Sequence, residues 1–195
     1  IQIDFLTITE PLDPCYRAEI EHNGGRLFVV KRTMKSVLSY ILNFIKIAKG
    51  YDIVHVHGNS ATMVLEMIAC WCAGVRVRIA HSHSTMSAMP MLDKMVRPLF
   101  YKLCNARLAC GKNAGAWLFK RHEFTVINNG ISTLQYLFDQ QRRDSIRTSL
   151  QWSDCKVVGH VGNFVDVKNH SFIIDIFRSF YYCFIFFTIS RDTNC

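Results

Sequence analysis

Two pairs of histidines, His55/His57 and His81/His83, each stand at alternate positions of a short apolar run. If both runs are strands, the two rings of a pair share one face of a sheet. Imidazoles so placed can ligate a transition metal, or can exchange hydrogen bonds with a hydroxyl near neutral pH. No carboxylate sits at a ligand-like spacing beside either pair, so the expectation is a polar site without metal. A metal-dependent hydrolase built on the His-x-His pairs is the lesser alternative.

The second chemically suggestive stretch is Lys156-Val157-Val158-Gly159-His160-Val161-Gly162-Asn163-Phe164-Val165-Asp166-Val167-Lys168-Asn169-His170. A β-branched run ends at Gly162, where no Cβ keeps a ligand from the backbone. Lys168 then precedes Asn169, an N-cap for a helix carrying Phe172, Ile173, Ile176 and Phe177 on one face. Free N–H groups at that helix start, beside an ammonium, suit a phosphate or diphosphate.

The motif Val-Gly-x-Phe-x-x-x-Lys-Asn-His follows Tyr51–His57, Arg78–Ser84 and Val126–Ile131 in that order. This arrangement resembles the retaining GT-B glycosyltransferases of family 4, of the bacterial capsular and exopolysaccharide type. The resemblance implies transfer of a sugar from a nucleotide diphosphate sugar to a polysaccharide or lipid-linked glycan, with no cofactor or metal. It implies that His83 lies beside the transferred sugar as the catalytic-site histidine, with His81 as its neighbour, and leaves His55 and His57 structural roles at the cleft wall. Gly162 and Lys168 match the donor-diphosphate grip, and Asn163 stands where an arginine is usual, so one of two cations is absent. Asn129-Gly130-Ile131-Ser132 resembles the family's Asn-Gly-Ile-Asp loop, with Ser132 in place of the acid. The family's Glu-x7-Glu donor motif is missing, since no glutamate follows Glu123.

The expected activity is therefore that of a fragment, inactive as given, truncated at both ends. The opening Ile-Gln-Ile-Asp-Phe-Leu looks like the middle of a protein, and the family's first strand, Gly-rich loop and first helix are not present. The alternative from a different class is a non-catalytic glycan- or lipid-binding remnant. The implied location is the cytoplasm, with peripheral contact at the inner membrane face.

The 195 residues are 50% hydrophobic, enough for a real core. A net charge of +8 and a pI near 9.2 favour anionic partners. The basic residues are scattered and no nucleic-acid module is visible, so nucleotide sugars and an anionic membrane are the expected partners, without nucleic acid. The eight cysteines include no C-x-x-C pair, and Cys70, Cys72, Cys104 and Cys110 sit among apolar neighbours, which reads as buried reduced thiols.

The elements that must position these groups alternate. Strands are expected at 3–8, 27–30, 53–56, 75–80, 107–110 and 126–127, and helices at 17–22, 34–49, 61–73 and 114–120. In the second helix the apolar stripe is read as Val37, Leu38, Ile41, Leu42, Ile45 and Ala48. Met86, Met89, Met91 and Met95 read as flexible core filler rather than a lipid-acceptor path. The implied fold class is α/β, a Rossmann-like parallel sheet with helices on both faces, the GT-B N-terminal lobe, followed by the start of a second Rossmann-like lobe. The expected domains are an acceptor lobe over 1–140, a linker over 141–154, the start of the donor lobe over 155–178 and an aberrant tail over 179–195. That tail is apolar but too short for a membrane span, which needs about 20 residues.

Overall fold

The structure is a computed structural model that describes residues 2–11, 13–33, 36–179 and, as backbone, 184–189. It divides into two compact units, Ile1–Gly130 and Ile131–Cys195. The expected aberrant tail lies outside the described residues except for 179 and 184–189.

The first unit alternates strand and helix: β1 (Phe5–Thr7), α1 (Cys15–His22), β2 (Leu27–Val29), α2 (Val37–Ala48), β3 (Ile53–Gly58), α3 (Val64–Cys72), β4 (Val77–Ser82), α4 (Pro90–Leu103), β5 (Ala106–Ala109), α5 (Lys112–Phe119) and β6 (Thr125–Val126). Every strand pairing is parallel, as crossover helices require. The strands form two sheets, β1-β2 and β3-β4-β5-β6, rather than one continuous sheet. Gly74, at φ +78°, ends α3 where the apolar period stops.

Two apolar clusters fill this unit. The larger joins Met63, Val64, Met67, Ala80, Phe100, Leu103, Ala109, Leu118 and Phe119, so α3, α4 and α5 are locked to β4 and β5. The smaller joins Tyr40, Phe44 and Ala48 of α2 to Ala69, Cys70 and Val75. This corrects the expected stripe of α2: Leu38 and Leu42 are 71% and 50% exposed. Tyr40 turns inward because its hydroxyl donates to buried Glu66 at 2.8 Å, and Arg32 pairs with the same carboxylate oxygen at 2.7 Å. A buried tyrosine with a partner competes well with leucine for a core position.

Buried polar groups stitch the layers. Asp93 accepts from the Ala61 N–H at 2.7 Å and pairs with Arg97, which also donates to the Leu118 carbonyl. Ser82 Oγ donates to the Ala114 carbonyl at 3.0 Å, tying the end of β4 to the first turn of α5. A Cβ on Gly115 would overlap the ring of Phe124, so α5 settles onto that ring only with glycine there.

Two further expectations are corrected. Met86, ahead of α4, is 64% exposed, and Met91 and Met95 are 83% and 76% exposed because α4 buries Phe100 and Leu103 on its opposite side. Cys72 is exposed at the last turn of α3, whereas Cys70 and Cys104 are buried, and burial pushes the Cys70 thiol up to about 12.

The second unit contains α6 (Gln140–Ser149), β7 (Lys156–Val161), α7 (His170–Arg178) and β8 (Phe184–Ile189), with β7 and β8 parallel. It is a single βαβ step. Residues expected as linker include the helix α6, capped by the Asp139 side chain on the Arg142 N–H. No helix among the described residues is long and apolar enough to cross a membrane.

Candidate functional site

In the first unit β3 and β4 pair so that His57 faces His81 across the ladder. Alternation then puts His55, His57, His81 and His83 on one face at the strands' C-terminal end. Their rings form a ladder: His55 and His57 stack at 4.2 Å, His81 and His83 lie 4.3 Å apart, and the cross-strand pairs His55–His81 and His57–His83 are 5.2 and 5.1 Å apart. Two N–H···N bonds cross the strands, His55 Nε2 to His81 Nδ1 at 3.1 Å and His57 Nδ1 to His83 Nε2 at 2.8 Å. His81 is buried, and its Nε2 has no hydrogen-bond partner.

Burial and the neighbouring rings push His55 down to about 4, and burial together with His83 lowers His57. His81 is lowered by burial, His83 and His57, with the Ile127 backbone opposing weakly. At neutral pH these three rings are neutral, each with one N–H and one lone pair to offer.

His83 also opens onto a pocket of about 500 Å³ lined by Ser84, Thr85, Cys110, Gly111, Lys112 and Asn113. It lies where β4 and β5 end and α5 begins, the position at which open parallel sheets take ligands. The sequence reading missed Gly111-Lys112. The available signal was a glycine and a lysine directly after a strand, the same signal used for Gly162 and Lys168. Asn129 and Gly130 are exposed and follow β6, whose continuation is held by the Ile127 N–H on the Ala109 carbonyl.

In the second unit the expected juxtaposition is present. Lys168 closes a 3-10 turn, Asp166–Lys168, and Asn169 sits in the left-handed region at φ 47° with its side chain capping α7 on the Phe172 N–H. A Cβ on Gly162 would stand 3.5 Å from Lys168 Cγ and Cδ, so the lysine stem crosses directly over the glycine. The Asn163 carbonyl accepts from His170 Nε2 at 2.9 Å and from the Val165 N–H at 2.9 Å, which fixes the turn. His160 and His170 meet edge to face at 4.9 Å.

No protein-family model matches the chain. It is 32% identical over 193 aligned positions to "Putative glycosyltransferase EpsF" of Bacillus subtilis (strain 168), covering 90% of this chain and 50% of that protein. Its fold matches the crystal structure of Anabaena Alr3699/HepE in complex with UDP-glucose, with a TM-score of 0.66 at 16% identity, over 98% of this chain and 70% of that one. The chain is a homologue of EpsF with a fold of the HepE type. It spans about half the length of the curated relative it matches. In this homologue the α/β class read from the sequence holds, with parallel sheets flanked by helices.

Proposed function

We propose that this chain is part of a retaining glycosyltransferase that moves a hexose or N-acetylhexosamine from a nucleotide diphosphate sugar to a polysaccharide or lipid-linked glycan. In this reading residues 1–140 are the acceptor lobe, 141–154 the linker and 155–178 the start of the donor lobe. The carrying observation is the Lys168 stem lying over Gly162 at the start of α7. The Lys168 side chain, the Gly162 backbone and a helix N-terminus lie close together there, the set that would stabilise a departing diphosphate. Asn163 adds a hydrogen-bonding side chain without charge, so leaving-group stabilisation rests on one cation. The UDP-glucose in the HepE complex and the relation to EpsF support a nucleotide-sugar donor.

His83, in the first unit, offers an imidazole able to hold a sugar hydroxyl, with His81 as its neighbour. Asn129 and Gly130 offer amide and backbone groups in the same role. These 195 residues by themselves are expected not to turn over, because no glutamate after Glu123 is at hand to orient donor ribose and sugar. The proposed location is the cytoplasm with peripheral contact at an anionic inner membrane face, which suits the net charge of +8.

A second reading is a non-catalytic glycan-binding remnant, favoured by the pocket beside His83 being lined wholly by residues of the first unit. Calorimetric titration with UDP, GDP and UDP-glucose separates the two. The transferase reading expects UDP binding weakened about tenfold by Lys168→Ala, the scale of one charged hydrogen bond. A folded, monodisperse chain that binds oligosaccharide but no nucleotide would favour the remnant. Turnover of labelled UDP-glucose by this chain would overturn the inactivity.

A further inference from the structure

We propose that the histidine ladder at the ends of β3 and β4 binds one divalent transition-metal ion, held by His55, His57 and His81. Neither the transferase reading nor a hydrolase reading is needed for this, and the ion is given no step in sugar transfer.

The geometry carries the assignment. One ligand nitrogen from each of the three residues lies within 4.8 Å of the others. His55 Nε2 and His81 Nδ1 are 3.1 Å apart, close to the roughly 3.3 Å edge of a tetrahedron with metal–nitrogen bonds of about 2.0–2.1 Å. An ion there takes the place of the proton those two nitrogens now share, which moves to the other ring nitrogen of the imidazole that carried it. The remaining contraction is within reach of side-chain rotation in His55 and His57, which are exposed.

The surroundings fit a ligand set as well. His81 is 5% exposed, so the ring that offers Nδ1 is held in place by the structure around it. His57 is bonded through Nδ1 to His83 Nε2 at 2.8 Å, the kind of outer hydrogen bond that fixes the tautomer of a metal-bound imidazole. The strands beneath are held in register from Ile53↔Val77 through Gly58↔Ser82, so three of the four rings sit on a rigid backbone before any ion arrives.

The donor set decides the class of ion. An all-imidazole set without carboxylate or thiolate suits Zn²⁺, Co²⁺, Ni²⁺ or Cu²⁺ and disfavours Mg²⁺ and Ca²⁺. Three ligands on a partly open face leave a coordination position for water. The lack of a nearby carboxylate, which argued against metal at the level of sequence, loses its force once the second strand supplies the third imidazole.

The test is titration of the tag-free, chelator-treated full chain with Zn²⁺, Co²⁺ and Mg²⁺ by calorimetry, with the visible spectrum of the Co²⁺ form. The expected result is one Zn²⁺ per chain at micromolar affinity, a nitrogen-ligated Co²⁺ spectrum, no Mg²⁺ binding and a higher unfolding temperature with Zn²⁺. His55→Ala and His57→Ala each weaken Zn²⁺ binding by tenfold or more, while His22→Ala, at an exposed histidine outside the ladder, leaves it unchanged. His81→Ala opens a buried site, so the two exposed ladder positions are the deciding variants, each checked for folding by circular dichroism. A folded chain that takes up no Zn²⁺, or one that binds equally well as the His55→Ala/His57→Ala double variant, would reduce the ladder to hydrogen-bonded imidazoles and overturn the proposal.

Discussion

β4 and β7 both end at a cluster of polar groups suited to a ligand, but they stand on unlike foundations. β4 belongs to a unit in which Ala80, Phe100, Ala109, Leu118 and Phe119 are fully buried. Among the described residues from 131 to 179 none is buried, and Phe172, Ile174 and Ile176 of α7 are 57%, 40% and 45% exposed. The histidines are therefore oriented by a filled core, whereas Lys168 is oriented by one turn and one cap. A site without a packed support loses part of its binding energy to ordering itself, so the diphosphate grip proposed at Lys168 is the softer of the two.

The largest expected contrast is in stability. Phe100→Ala removes a fully buried ring and is expected to cost about 3–5 kcal/mol in denaturant unfolding, whereas Ile176→Ala on α7 is expected to cost under about 1 kcal/mol. Equal losses would mean that the second unit has a core of its own. Next comes Tyr40→Phe, which strips Glu66 of one of its two partners and is expected to cost about 1–3 kcal/mol. A neutral outcome would show that Arg32 alone satisfies that carboxylate.

Acid probes the histidine ladder more gently. The native pKa values of His55, His57 and His81 are lowered, so below the ordinary value of 6.5 the unfolded chain binds protons that the native chain refuses. Stability attributable to the ladder is complete above pH 6.5 and falls as pH drops toward about 4, the value for His55. Because the His55 ring is partly open to solvent, its share is about 1 kcal/mol, read as the difference in acid sensitivity between the parent and His55→Ala. The smallest effect is expected from Met91→Ser with Met95→Ser, within about 0.5 kcal/mol, since both side chains face solvent. A larger loss would place those methionines against something in solution.

Most of this architecture was legible in the sequence because strand and helix periods differ and glycines punctuate them. Gly50 and Gly74 adopt φ of +95° and +78° where the readings ended α2 and α3. Asn169 caps α7 as its position before the apolar run suggested. What was not legible depends on partners distant in the chain. The inward face of α2 is chosen by Tyr40 meeting Glu66, 26 positions away, and no local period carries that information. The exposed methionines follow from α4 burying Phe100 and Leu103 instead. The His-x-His pairs were visible as pairs, but their union into one ladder rests on the register of His57 with His81, which only strand pairing fixes. The chain's relation to a glycosyltransferase was read from motif order, and the EpsF and HepE likenesses agree with it.

Gly115 gives the pocket beside His83 an unusual division of labour. Its missing side chain lets α5 rest on the Phe124 ring, which in turn lies 5.8 Å from the ring of Phe119. A methyl at 115 would act as a wedge against the tip of the half-buried Phe124 ring, and whatever the ring does not absorb tilts the helix. The first turn of α5, Gly111 to Ala114, would swing with it, dragging the Ser82 tether. The lip of the pocket is thus free to vary in chemistry at 112 and 113, while its aperture is set from below by an atom that is not there.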